Sequence, residues 1–252
     1  MCGRYAVTTD PALLAAEIDA EDETEGADLD VPGFNVAPTT TIVSVVSRHS
    51  REAPGDPATR RLRAMRWGLL PHWQKTLSGP PLFNARAESV DEKPAFRTAI
   101  RSKRCLIPMD GWYEWQVLDP EAKKPRKQPT YLTPVDGTRM YVAGLWSVWR
   151  PAGAGLDVPP VLSATVLTTD AVGPLRAVHD RMPLVLTPDV FDEWLNPDGP
   201  ADPALLRPPA LDVVERIEIR PVSALVNAVA NTGPALIERV EPGSEPGQLS
   251  LL

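Results

Sequence analysis

The second residue of the chain is a cysteine, Cys2, in the segment MCGRYAV. If Met1 is removed, Cys2 carries a free α-amine and a thiol on adjacent carbon atoms, and a small side chain at this position favours that removal. An α-amine has a pKa of about 8, so a useful fraction is nucleophilic at neutral pH. It condenses with an aldehyde to a Schiff base, on which the thiol closes a thiazolidine ring. The segment therefore predicts a potential aldehyde trap.

A carboxylate in an aromatic setting is the first candidate partner. In GWYEWQ, Glu114 lies on the same side of an extended strand as Trp112. A carboxyl crowded by indoles has a raised pKa and is usable as a proton donor near neutrality. The segment fits equally well a strand-edge glutamate in water beside core aromatics, and both interpretations stay open.

Two more segments carry polar side chains suited to sugar or phosphate chemistry. In FNARAES, Asn84 and Arg86 are two residues apart and share one side of an extended chain. A capped loop with a surface arginine is the alternative. In RAVHDRMPLVL, His179 stands just before an apolar run, as a histidine at the mouth of a cleft does. Taken by itself, this pattern favours a structural histidine.

Several classes of protein lack support in the sequence. It has no Gly-rich phosphate loop, no Cys/His spacing typical of zinc sites and no G-x-S-x-G segment, so we expect neither a metal nor a cofactor. The two cysteines suit a reducing cytoplasm, and Cys105, before LIP, is expected to be a buried core thiol. With no apolar run of about 20 residues and no signal peptide, we expect a soluble cytoplasmic protein.

The charge is unevenly distributed. The net charge of -7 argues against a nucleic-acid partner. However, residues 5–47 contain no lysine or arginine, whereas residues 48–104 contain 13 basic side chains against five acidic ones, a net +8. An acidic protein with one basic face fits this distribution, and so do arginines scattered over the surface.

Strand patterns dominate the chain, helix patterns are short, and βαβ alternation is absent. We therefore expect an α+β fold: one domain over residues 1–252, with a mixed or antiparallel barrel-like β core and short peripheral helices. The core would cover about residues 2–238, and residues 239–252 would form a mobile tail. The individual predictions are a helix at 10–20, an acidic loop at 21–30, a strand at 41–48, a helix from Pro94, two strands joined at Asp110-Gly111, a hairpin at 130–149, a strand at 161–171 and a helix at 190–195.

Six segments, in order from residue 2 to about 238, together resemble the SOS-response-associated peptidase family, also called abasic-site processing proteins. They are MCGRY, FNVAPTT, MRWGLLPHW, FNARAES, CLIPMDGWYEW and VHDRMPLVL. The resemblance implies a barrel-like α+β domain with a basic cleft for single-stranded DNA. It also implies covalent capping of abasic sites by an N-terminal cysteine, which shields the lesion from strand cleavage, and autocatalytic loss of the initiator methionine.

The resemblance assigns roles to four candidate catalytic residues. Cys2 would be the nucleophile through both amine and thiol, and Asn84 would orient the amine. Glu114 would act as acid and base in Schiff-base formation. His179 would assist opening of the abasic sugar and reversal of the link.

The same resemblance implies a set of DNA contacts. Phosphates would be met by three arginines, a flanking base would stack on one of two tryptophans, and two turn residues would line the lesion pocket. These residues are, in that order, Arg4, Arg86 and Arg181; Trp73 and Trp115; and Pro38 and Thr39.

The function expected first is therefore covalent capture of abasic sites in single-stranded DNA, in DNA damage repair linked to the SOS response. The protein would be a cytoplasmic monomer, associated with the nucleoid when bound to DNA. One alternative is an N-terminal-nucleophile cysteine peptidase or amidohydrolase, which would turn over peptides or amides without a DNA adduct. Another is a non-catalytic module that binds single strands through tryptophans and arginines.

Overall fold

The computed structural model describes residues 2–53, 55–155 and 157–242. Strands dominate this part of the chain, and the α-helices span four to seven residues. The strands are β1 Tyr5–Val7, β2 Glu21–Glu23, β3 Gly33–Val36, β4 Thr41–Arg48, β5 Thr59–Trp67, β6 Asn84–Arg86, β7 Arg104–Met109, β8 Gly111–Leu118, β9 Arg126–Pro134, β10 Met140–Trp149, β11 Val161–Asp170, β12 Arg181–Pro183, β13 Val185–Leu186 and β14 Ile217–Pro221. The α-helices are α1 Pro11–Glu17, α2 Ala99–Ser102, α3 Phe191–Leu195 and α4 Leu211–Glu215.

Five strands close into a barrel in the order β5-β4-β7-β10-β11. The ring is completed by a parallel contact in which Ser163 and Ala164 of β11 lie opposite Arg66 and Trp67 of β5. Short β-branched and apolar runs such as TIVSVVSR form its walls because both faces of these strands are largely covered. Strand β6 adds to the barrel by pairing in parallel with β11.

A second sheet, in the order β14-β9-β8-β1-β3, carries the amino terminus. Its strands pair antiparallel, with Tyr5 of β1 opposite Trp112 of β8. Gly111 begins β8 where the chains are closest: a Cβ there would lie 2.4 Å from the Tyr131 ring and 2.6 Å from the Leu132 carbonyl oxygen. The glycine therefore allows β8 to approach β9 closely enough to pair along its length.

The short helices are held by caps and side chains rather than by length. Asp10 caps α1 by accepting a hydrogen bond from the Ala12 N–H, and Pro11 occupies the first turn. Arg104, almost fully buried in β7, ties the ends of α2 and α3 to the barrel. No helix in the described ranges is long and apolar enough to span a membrane.

The structure confirms the predicted fold class, α+β with a barrel-like core of mixed sheets and short helices. The predicted strands at 41–48 and 161–171 correspond to β4 and β11. The helix predicted at 10–20 is shorter, and the one predicted at 190–195 is α3.

Three local predictions are wrong. The acidic run at 21–30 contains a strand, β2, which Arg61 and Arg63 hold beside β5 through Glu23. The helix expected from Pro94 is reduced to α2, preceded by turns. The hairpin expected at 130–149 does not form, because β9 and β10 belong to different sheets. Of the predicted mobile tail, residues 243–252 lie outside the described part of the chain.

Candidate active site

Cys2 lies just before β1 and is fully buried. Since Tyr5 lies opposite Trp112 in an antiparallel pair, the residues before Tyr5 run beside those after Trp112. This register brings Cys2 to Glu114. Burial raises the pKa of the Cys2 thiol well above its ordinary value, and the negative charge of Glu114 acts in the same direction.

Asn84 is the second neighbour of Cys2. The side-chain Nδ2 of Asn84 donates a hydrogen bond to the Cys2 carbonyl oxygen at 2.7 Å. Strand β6 holds Asn84 in place, opposite Val166 of β11. The other side-chain atom, Oδ1, is buried and accepts no hydrogen bond from the described residues. Asn84 therefore clamps the Cys2 backbone and keeps one acceptor available beside it.

Glu114 is the carboxylate of the site and is only 3% exposed, in the middle of β8. Burial, with a smaller contribution from the negative charge of Asp180, raises the pKa of Glu114 to about 7. Both the acid and the base form are thus populated near neutral pH, as general acid–base catalysis requires.

His179 approaches from the loop between a 3₁₀ helix, Gly173–Ala177, and β12. Gln116 of β8 donates to the Ala177 carbonyl oxygen at 3.0 Å, which holds this loop against the strand of Glu114. His179 Nδ1 accepts the Arg181 N–H at 2.9 Å and lies 2.7 Å from an Asp180 carboxylate oxygen. Burial lowers the pKa of His179. The neutral ring therefore carries its proton on Nε2, and a protonated ring would donate from Nδ1 to Asp180.

Arg181 is buried beneath this loop. Its guanidinium makes two parallel hydrogen bonds to the carboxylate of Glu88, at 2.8 and 2.9 Å, and a third to the Thr168 carbonyl oxygen at 2.8 Å. It also pairs with Asp170. These contacts occupy the guanidinium inside the protein, while its backbone N–H orients His179.

The turn containing Pro38 and Thr39 runs along the other side of the amino-terminal segment. Val36 lies opposite Tyr5 in the antiparallel pair of β3 and β1, so the residues after Val36 face those before Tyr5. Thr39 is exposed with a φ of 79°, which is strained for a β-branched residue. Its N–H donates to the Trp67 carbonyl oxygen at 2.7 Å, which anchors the strained turn to the barrel.

Arg4, the arginine closest to Cys2 in sequence, is half-buried. It donates to the Asn35 side chain at 2.7 Å and to the Val226 carbonyl oxygen at 2.9 Å. Asn35 in turn donates to the carbonyl oxygens of Ala228 and Asn231. Arg4 and Asn35 thus hold the segment after β14 against the sheet that carries Cys2.

The remaining predicted DNA contacts lie on the surface. Arg86 is exposed on β6, two residues from Asn84, and Trp73 is 57% exposed. Trp115 is half-buried, and its Nε1 donates to the Asn227 side chain at 2.7 Å. Exposed Lys127 is close enough to His179 to contribute to its lowered pKa.

Sequence reasoning missed four residues around the site. Asp180 and Glu88 lie inside the segments VHDRMP and NARAES, next to predicted residues, and that adjacency was the available signal. Lys127 falls in a stretch expected to be a polar loop, and Asn35 carries no local pattern that marks its contacts with residues 226–231. Among the described residues, no three His, Cys, Asp or Glu side chains are grouped as metal ligands would be.

Comparison with known proteins gives one family and a consistent set of relatives. The profile of the SOS response associated peptidase (SRAP) family matches residues 1–229. The chain is 35% identical over 245 residues to the abasic site processing protein YoqW of Bacillus subtilis, covering 94% of this chain and 99% of that one. It is 28% identical to the abasic site processing protein YedK of Escherichia coli, covering 95% and 100%.

Solved structures share the fold. A Bacteroides thetaiotaomicron protein superposes with a TM-score of 0.75 at 20% identity, covering 95% of this chain and 100% of that one. A Bordetella bronchiseptica protein superposes with a TM-score of 0.67 at 26% identity, covering 88% and 100%.

Proposed function

Since the chain belongs to the SOS response associated peptidase family, we propose that it processes abasic sites in DNA, as its relatives' names indicate for them. In detail, Cys2, freed by autocatalytic removal of Met1, captures the ring-opened sugar of an abasic site in single-stranded DNA and shields the lesion from strand cleavage. The observation that carries this proposal is the meeting of Cys2, Asn84 and Glu114, which come from three distant parts of the sequence.

The proposed reaction has three steps. The Cys2 amine adds to the aldehyde carbon of the open sugar and forms a carbinolamine. Protonated Glu114 gives a proton to the departing hydroxyl group, which leaves as water, and an imine remains. The Cys2 thiol then adds to the imine carbon, its proton moving to the nitrogen through Glu114. The result is a thiazolidine, with one water released overall.

The thiol's raised pKa fits this order of events. A buried thiol that keeps its proton is a poor thiolate nucleophile, which disfavours a cysteine peptidase acting on other proteins. It suits a thiol that reacts second, with a nearby carboxylate to take its proton. Asn84 supports the first step, because its unoccupied buried Oδ1 is available to accept a hydrogen bond from the Cys2 amine.

His179 is proposed to assist opening of the sugar and reversal of the link. Its neutral Nε2–H form suits proton transfer to and from a sugar oxygen. Arg181 is proposed to position His179, since its own guanidinium faces Glu88 and Asp170 rather than solvent.

DNA contacts are proposed on the exposed side of the site. Arg86 would meet a phosphate, and Trp73 or Trp115 would stack a base, with Pro38 and Thr39 beside the lesion. Arg4 is proposed to support the site from within, because its hydrogen bonds are spent on Asn35 and Val226. We further propose that the protein acts as a cytoplasmic monomer that joins the nucleoid on DNA.

Cys2→Ala tests the capture reaction. Intact-mass analysis after incubation with an abasic oligonucleotide should give, for the wild type, protein without Met1 plus DNA minus one water. The adduct should survive heating on a denaturing gel. Cys2→Ala keeps an amine but has no thiol, so its adduct should be a heat-labile imine. Cys105→Ala, which removes the other buried thiol, is the control and should cross-link as the wild type does. A heat-stable adduct with Cys2→Ala would rule out the thiazolidine.

A further inference from the structure

A cleft of about 1140 Å³ opens at the barrel end where β4 finishes and β5 starts. This end is remote from Cys2. Thr41, at the start of β4, pairs with Arg66 near the Thr39 turn, whereas Arg48 pairs with Thr59 at the other end of the strand. Seven extended residues separate the two ends, about 23 Å at the usual rise of a strand.

Two cations in this cleft share one aromatic ring. The guanidinium carbon of Arg48 lies 4.4 Å from the centre of the Trp146 ring, and Lys103 Nζ lies 5.7 Å from it. The Trp146 N–H donates to the Lys103 carbonyl oxygen at 2.9 Å, which fixes residue 103 beside the indole. The indole attracts each cation, but the two like charges repel each other.

The charges of Arg48 and Lys103 are not neutralised by the protein. Neither side chain makes a hydrogen bond or an ion pair within the described ranges, whereas Arg61 and Arg63 in the same cleft pair with Glu23 at 2.6 and 2.5 Å. Burial lowers the pKa of both Arg48 and Lys103, and the charge of Arg48 further lowers that of Lys103. A bound anion would offset both the repulsion and the lost hydration.

We propose that Arg48 and Lys103 form a second, previously unassigned site that binds the phosphate group of a nucleotide. An arginine fork and a lysine ammonium together suit a phosphate, which accepts hydrogen bonds from both. Beside them, Val46, Val148 and Leu162 line the cleft with apolar surface that fits a sugar or base. The acidic residues Glu52 and Asp56 at the rim limit the site to one phosphate rather than a polyanionic chain.

The phosphate has two possible sources, a free nucleotide or a single strand passing the cleft. The probes are therefore thymidine monophosphate, measured by calorimetric titration, and an undamaged single-stranded oligonucleotide, titrated at several salt concentrations. The test variant is Arg48→Gln with Lys103→Met, which keeps the lysine stem on the indole. The control is Arg97→Gln with Arg207→Gln, which removes two exposed arginines outside the cleft.

If the site binds free nucleotide, the test variant should bind the monophosphate at least tenfold more weakly than the control does. If it binds a strand, the slope of log affinity against log salt should fall in magnitude by about 0.7 for the lost phosphate. Either result supports the site and identifies its source. The proposal is overturned if the test variant matches the control with both probes.

Correct folding of the test variant is shown by unchanged capture of an abasic oligonucleotide through Cys2, or by an unchanged circular dichroism spectrum. Lys103→Met alone repeats both titrations should the double variant not fold. Because neither probe contains an abasic site, the result is independent of whether the capture reaction is correct.

Discussion

Glu114 is the side chain whose charge determines the proposed chemistry near neutral pH. Its pKa of about 7 follows from burial among β8, β1 and the His179 loop, against an ordinary value of 4.5. A solvated carboxylate would be almost fully ionised at pH 7 and would offer no proton to a departing hydroxyl group.

Glu114→Gln should change the pH dependence of stability. Because the folded pKa lies above the unfolded value of 4.5, the carboxyl stabilises the fold fully below pH 4.5 and loses this contribution as the pH rises through about 7. The free energy of unfolding of the wild type, relative to that of Glu114→Gln, should therefore be higher at pH 4.5 than at pH 8. Urea unfolding at the two pH values measures the difference, and an equal difference at both would contradict the raised pKa.

The same variant has a kinetic readout. Protonated Glu114 becomes scarcer as the pH rises through about 7, so the wild-type cross-linking rate should decline on the alkaline side. Glu114→Gln should lack this decline and react about a hundredfold more slowly, within the usual range for loss of a general acid.

At this scale, the sequence predicted some features and missed others. The crowded setting of Glu114 follows from GWYEWQ, because strand alternation places it with Trp112. The contact between Asn84 and Cys2 spans 82 residues and depends on β6 pairing with β11, which leaves no local pattern. The internal partners of Arg4 and Arg181 are likewise long-range contacts, so composition alone suggested phosphate binding for both.

Among the elements, the pairing of β1, β8 and β9 determines whether Cys2 meets Glu114. Gly111 is critical to it, since an added Cβ would collide with the Tyr131 ring and with backbone at Leu132. Strand β8 cannot retreat from β9 without also moving away from β1.

Gly111→Ala should destabilise the protein by about 2 kcal/mol or more, because a clash with backbone is relieved only by moving a strand. It should also slow cross-linking, since β8 carries Glu114. Thermal unfolding followed by circular dichroism measures the first effect. Gly199→Ala is the control, because no atom lies within 4 Å of its added Cβ. Equal melting temperatures for the two variants would contradict the close approach.

Element prediction succeeded where local pattern and tertiary pairing agree, as in β4 and β11. The 130–149 segment shows the opposite case. Its turn forms, with Gly137 at a φ of 71°, but β9 pairs with β8 and β14 while β10 pairs with β7 and β11. A turn sequence fixes a change of chain direction, whereas the partners of each strand depend on distant segments.

On the scale of the whole molecule, Arg104 joins the barrel to its peripheral helices. All five of its N–H groups donate to backbone carbonyl oxygens at the ends of α2 and α3 and in the loop that follows α3. The acceptors belong to Ile100, Arg101, Trp194, Asn196 and Gly199. Burial lowers the pKa of Arg104, and the carbonyl dipoles replace the water it has lost.

Arg104→Met should lower the free energy of unfolding by about 3 kcal/mol or more, because several buried carbonyl groups lose a charged donor at once. Chemical denaturation gives the value. Arg101→Met, which removes an exposed arginine from the same helix, should change stability by less than about 0.5 kcal/mol. A loss for Arg104→Met as small as that of the control would contradict the role assigned to it.

The four candidate catalytic residues are spread over almost 180 positions, and this spacing has a consequence for how the protein matures. Asn84 is held by β11, so its place beside Cys2 does not exist until residues 161–170 have been synthesised and have joined the barrel. His179 follows later still. A nascent chain emerging from the ribosome therefore carries its amino terminus without the residues that would activate it. The timing of translation itself would protect the cell's aldehydes, and the unfinished protein, from premature cross-linking.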